Sequence, residues 1–220
     1  FERGEYDRAE EYYMLHNALC HEIEERIGAA ISTCNLGEIA EVRGDFEGAL
    51  AKYAEGVHEL VRIGSNAATT FPLEATARIL IDHPLLCDVD FPWPDRSDDA
   101  PLSDEISVRA LQRARDLAYS ALRYATSIGL RDRRIIIPII LARIDYASGN
   151  HANATERLLT LLDHARADEE RADVHYWLWK CGMSDHASIA RECYTALERD
   201  TPKHLFRTRL DELRGESASP

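Results

Sequence analysis

The chain has 220 residues, of which 45% are hydrophobic and 30% charged. That is enough for one domain with a sizeable core, and it excludes disordered and collagen-like classes. Twenty-six basic residues stand against thirty-nine acidic ones, a net charge of −13. This is the wrong sign for a protein that gains affinity by neutralising phosphates, so nucleic acid is excluded as an expected partner. No apolar run approaches the roughly 18 residues of a membrane helix, the longest being Ile135 to Leu141, and no membrane partner is expected.

Five cysteines, Cys20, Cys34, Cys87, Cys181 and Cys193, form no CxxC pair. An odd, scattered set argues against a disulfide framework and for a reducing, cytoplasmic setting. The chain opens Phe-Glu-Arg, inside what reads as the turn of a helix pair. The expectation is that it is the C-terminal part of a larger protein.

An internal repeat organises the rest. Gly4, Tyr6, Ala9 and Tyr13 recur forty residues later as Gly44, Phe46, Ala49 and Tyr53. Spacings of three and four place each set on one helical face. Ahead of Gly44 stand Asn35-Leu36-Gly37 and Ala40. A further copy turns at Gly149-Asn150-His151, with Ala154 and Leu158 at core positions. Its first helix runs through Ile135 to Ala142, and Pro138 is expected in that helix's first turn, where a missing N–H is harmless.

The next copy pairs a helix around Val174, Trp177, Leu178 and Cys181 with one carrying Ala190, Tyr194 and Leu197. Thr201 reads as an N-cap with Pro202 at the first helical position, which opens a capping helix through Arg214. Between Gly64 and Gly129, residues 66–81 and 107–128 read as a divergent helix pair. The stretch 83–103 holds Pro84, Pro92, Pro94 and Pro101 and reads as an irregular insertion.

This grammar of Gly, aromatic, Ala and aromatic behind a Leu-Gly resembles the tetratricopeptide repeat. Thr33 stands where the family places an early aromatic. The resemblance implies an all-α fold, a right-handed superhelical solenoid of antiparallel helix pairs spanning residues 1–214, with residues 215–220 as a tail. It also implies a groove lined by the first helix of each pair, which holds peptides or partner helices. Arrays of this divergent type look like those of bacterial multidomain signalling proteins.

The groove positions this assigns are Asn35 and Glu38, with Ile31, Cys34 and Glu41 nearby, then Arg143, Tyr146, Tyr176 and Trp179. The Asn35 amide can donate to and accept from a peptide backbone, or make a local bond to a neighbouring helix. No Lys or Arg accompanies it to clamp a terminal carboxylate, and Glu38 and Glu41 favour a basic or neutral ligand. In His175-Tyr176-Trp177-Leu178-Trp179 the aromatics lie on opposite faces of one helix. Either Tyr176 and Trp179 face a partner, as interface anchors do, or the capping helix covers them.

The insertion joins Leu85, Leu86, Val89, Phe91 and Trp93 with Asp88, Asp90, Asp95, Asp98 and Asp99. A lid, a docking element and a solvated segment with partial apolar docking are all open to it, and the last is the working choice. Its acids lack the spacing of a calcium loop. His16, Cys20 and Glu24 share a helix face that has zinc-ligand chemistry or, more simply, is half core and half solvent.

Phosphate-binding, dinucleotide and hydrolase motifs are absent, so neither catalysis nor a cofactor is expected. The expected function is a non-catalytic interaction module for a peptide, a partner helix or another copy of itself. The alternative is a ligand sensor whose solenoid changes curvature and controls an upstream catalytic domain. An apolar face around Tyr6, Ala9 and Tyr13, left open by a truncated repeat, makes a homodimer part of the expectation.

Overall fold

The computed structural model describes residues 3–94, 101–131, 133–200 and 203–215. The protein is all-α: among the described residues there are ten α-helices and one short 3₁₀ turn, and no strand. In chain order these are α1 (Arg3–Glu22), α2 (Arg26–Val42), α3 (Phe46–Arg62), α4 (Asn66–Asp82), α5 (Ile106–Ser127), α6 (Arg133–Ala147), α7 (His151–Leu161), α8 (Asp168–Lys180), α9 (His186–Asp200) and α10 (His204–Arg214). The 3₁₀ turn spans Pro84–Asp88. The chain divides into two compact units, Glu2–Ile140 and Leu141–Pro220.

In the first unit consecutive helices pack on one another from α1 to α5, and the turns between them share one chemistry. Gly44 and Gly64 take left-handed φ values of 81° and 73°. The Gly44 N–H bonds back to Glu41 O at 3.0 Å and the next N–H, of Asp45, to Ala40 O at 2.9 Å. This closes the carbonyls of the helix end. Asp45 then caps α3, its carboxylate accepting from Gly48 N at 2.9 Å.

The α1–α2 turn is built the same way, but its left-handed residue is Glu24, with φ 58°. Twenty residues separate Glu24, Gly44 and Gly64 from one to the next, so the turn recurs at constant register while its glycine does not.

The core of this unit follows the repeat. Ala49, Leu50, Tyr53, Val57 and Leu60 of α3 are fully buried. Tyr53 lies against Gly37, where a Cβ would meet Tyr53 Cε1 at 2.9 Å, so the glycine of Leu36-Gly37 is needed for helix approach. Thr33 is buried, donates to Ala29 O and accepts from Asn17 Nδ2 at 3.0 Å. A polar contact to α1 stands where the repeat pattern has an aromatic.

Helices α4 and α5 form the divergent pair. Ala110, Ala114, Leu117, Ala118, Ala121 and Ala125 line the buried side of α5, and the alanines among them let α4 approach closely. In the insertion, Cys87 and Phe91 are buried while Leu85 is exposed. Trp93 lies under the Arg113 guanidinium at 4.0 Å from its ring centre. Asp95, Asp98, Asp99, Thr201 and Pro202 lie outside the described residues.

Pro138 requires a correction. It is not in a first turn, because α6 begins at Arg133 and carries the proline in its interior, as α4 carries Pro72. Arg133 donates to the Glu74 carboxylate of α4. Pro138 forfeits one backbone bond within this helix.

The second unit centres on α8, α9 and α10. Ala172, Tyr176, Ala190, Tyr194, Phe206, Leu210 and Leu213 form one buried cluster, with Trp177, Trp179 and Leu197 packed at its margin. Arg209, itself buried, donates to both Asp173 and the Tyr194 hydroxyl. The charge inside this cluster is therefore paired.

Candidate functional site

Asn35 and Glu38 stand on the outer side of α2, the first half-buried and the second exposed. Ile31 and Val42 flank them, both exposed. Cys34, grouped with them from its sequence position, is instead buried, its sulfur lying where a Cβ on Gly56 of α3 would be. Burial pushes its thiol up to about 12, with Glu55 adding to the rise, so it stays protonated at neutral pH.

Glu41 belongs to a polar network within the first unit. It accepts from the Tyr53 hydroxyl at 2.8 Å and from Arg78 of α4 at 3.0 Å. Glu74, one helical turn before Arg78, is buried and pairs with Arg133. Burial pushes the Glu74 carboxyl up to about 7 against the opposing charges of Arg133 and Arg78. Of the partners of Glu41 the repeat pattern marks Tyr53, as a core aromatic, but not Arg78. The one available signal was spacing, since Glu41 and Arg78 are 37 residues apart, close to one repeat.

The other four groove candidates lie in the second unit. Arg143 is buried, its guanidinium 5.1 Å from the Trp177 ring centre. Tyr146 meets the same ring edge-on at 6.0 Å and His151 at 4.7 Å. The structure thus brings Arg143 and Tyr146 together through Trp177, which had been expected in the core and is only half-buried.

Tyr176 is 4% exposed. Its ring packs 6.0 Å from Tyr194, and its hydroxyl donates to Glu212 of α10 at 2.7 Å. Of the two arrangements open in the sequence, α10 covers this aromatic. Trp179 sits half-buried beside it, 5.7 Å away. Lys180 bonds Glu212 at 2.9 Å. Burial alone would raise the Glu212 carboxyl, but the donors Tyr176 and Lys180 hold it below its ordinary value.

A further exposed apolar surface lies on α1. Tyr6, Ala9 and Tyr13, expected to be the open face of α1, are half-buried, because α1 turns that side toward α2: His16 Nδ1 lies 2.7 Å from Ser32 Oγ, and Asn17 donates to Ala29 O. The open face is Tyr12, Leu15, Leu19 and Ile23, exposed by 68%, 70%, 51% and 64%. Offsets of three, seven and eleven residues from Tyr12 set these four in one stripe. The Ile23 N–H still bonds Leu19 O, so the helical course continues through it. Ile27 and Ile31 extend the run of exposed apolar residues into α2.

Within this region Cys20 is buried, with His16 3.7 Å from its sulfur. Among the described residues no group of three His, Cys, Asp or Glu side chains is placed to hold a metal ion. Among them, too, no helix is long and apolar enough to cross a membrane. No protein-family model matches the chain, and no curated protein matches it either.

Proposed function

We propose that this chain is a non-catalytic protein-interaction module built from tetratricopeptide-like helix pairs, which docks a peptide or partner helix. The observation that carries this reading is the stripe Tyr12, Leu15, Leu19 and Ile23, four large apolar side chains each more than half exposed on one helix face. Contiguous exposed apolar surface of this kind marks protein-interaction sites. The outer face of α2, with Ile31, Asn35, Glu38 and Val42, offers a second surface that mixes apolar area with hydrogen-bonding groups. The right-handed solenoid belongs to the same reading.

A photo-crosslinking residue at Leu19, compared with one at Leu85, tests it. Leu85 is exposed but lies in the 3₁₀ turn of the insertion, away from the stripe in sequence. Crosslinking in the protein's native cellular mixture is expected to give discrete protein adducts from position 19 and none from position 85. Identical adducts from both positions, or none from either, would contradict the proposal.

A further inference from the structure

The interaction reading leaves the chemistry of the partner open, and the edge of the α1 stripe narrows it. Glu11 and Glu22 are exposed and lie eleven residues apart, hence on the same side of the helix, Glu11 one turn before Leu15 and Glu22 one turn after Leu19. Glu24 is exposed in the turn that follows. The nearby bases are committed elsewhere: Arg43 pairs with Asp7 and Glu10, and Arg26 with Glu59. Glu11, Glu22 and Glu24 form no ion pair among the described residues. Among the described residues, Arg8 is the one base on the stripe's own side, one turn before Tyr12. The stripe is therefore an apolar strip with an acidic edge.

That edge discriminates between occupants. When two helices pack, the residues bordering the apolar seam set partner choice through their charges. A second copy packed antiparallel on this stripe would bring Glu11 of one chain toward Glu22 of the other, and the net charge of −13 adds to the repulsion. A helix with lysine or arginine beside its apolar seam meets the opposite condition.

Resting on the interaction reading, we infer that the α1 stripe docks an amphipathic helix of another protein, with apolar residues at positions i, i+3, i+7 and i+11 and basic residues along the edge that meets Glu11 and Glu22.

The test uses the whole chain and two labelled peptides of ~16 residues, about four helical turns. Both carry leucines at i, i+3, i+7 and i+11; one has lysine edges and its twin has glutamate edges. Fluorescence anisotropy is expected to show the lysine peptide binding about tenfold or more tightly than its twin, with the difference shrinking as salt is raised. The L15S/L19S variant is expected to lose binding of both peptides. The E11K/E22K variant is expected to reverse the preference. All four positions are exposed, and circular dichroism checks that the variants keep their helix content.

Equal affinity for the two peptides, or preference for the glutamate twin, overturns the basic-helix assignment and leaves the interaction reading standing. So does a chain that binds neither peptide but dimerises by light scattering and dissociates in L15S/L19S, since the occupant is then a second copy. A chain that binds neither peptide, stays monomeric and gives no position-19 crosslink defeats both.

Discussion

Tyr176 of α8 donates its hydroxyl to Glu212 of α10 at 2.7 Å while its ring sits among Tyr194, Phe206 and Leu213. The last helix is therefore fastened by a polar bond at the end of an apolar contact. Tyr176→Phe keeps the ring and removes the bond. The acceptor is a carboxylate, so the expected cost is about 1.5–3 kcal/mol, read from chemical denaturation. Tyr176→Ala also opens a cavity and is expected to cost about 3–5 kcal/mol. A loss for the alanine variant no larger than for phenylalanine would show that α10 does not cover the ring.

Gly37 fails to accommodate even a methyl group. A Cβ there would lie 2.9 Å from Tyr53 Cε1 and 3.2 Å from Ala49 O. Tyr53 has no room to retreat, being fully buried, bonded to Glu41 and packed edge-on to Phe71. Gly37→Ala gains about 1 kcal/mol of helix propensity and loses more to overpacking, for an expected net loss of about 1–2 kcal/mol. A variant as stable as the parent would mean that α2 and α3 pack less closely.

Glu24 holds the left-handed conformation that Gly44 and Gly64 hold at the matching turns. A side chain in that region is strained by roughly 1–2 kcal/mol, and part of the relief is offset by the greater freedom of glycine in the unfolded chain. Glu24→Gly is expected to raise stability by about 1 kcal/mol, seen as a higher denaturation midpoint. Glu24→Ala, which keeps the strain, is expected to give no such gain.

His175 and His186 place their Nδ1 atoms 2.6 Å apart across α8 and α9. One ring donates and the other accepts, so protonating both removes the bond and sets like charges together. Burial, with the charges of His186 and Arg171, lowers the His175 pKa. The unfolded chain then binds more protons than the folded one as pH falls below about 6.5, and stability falls with it until the lowered folded value is passed. Denaturation followed between pH 5 and 8 is expected to show stability rising with pH across the lower part of that range. The slope is expected to flatten in His175→Gln; an unchanged slope would remove the pair as its cause.

Much of the helix pairing was legible because turn and core signals coincide in the sequence. Gly44 and Gly149 mark left-handed turns, and Ala49, Tyr53, Ala154 and Leu158 are buried as their spacing implies. The α1–α2 turn was hard to see because Glu24 carries out a glycine's conformation. Tyr176 and Trp179 have two solutions in the sequence, because aromatics on opposite faces of one helix either meet a partner or are covered, and for Tyr176 α10 makes the choice through Phe206, Leu210 and Glu212.

The open face of α1 was misplaced for a related reason. Tyr6, Ala9 and Tyr13 carry the repeat signature because they pack on α2, and the signature therefore marks the covered side. Pro138 differs from its expected first-turn position because α6 starts at Arg133, ahead of the apolar run from Ile135 that marks the helix in the sequence.

The most direct test of the central claim combines stability and contact in the variant L15S/L19S, with the photo-crosslinker moved to Ile23. The expected result is denaturation within about 0.5 kcal/mol of the parent, as is usual for surface positions, together with loss of the protein adducts that the parent stripe gives. A destabilisation of about 4 kcal/mol or more, the scale of two core truncations, with the adducts retained would show that these side chains serve the protein's own fold and that its partner docks elsewhere.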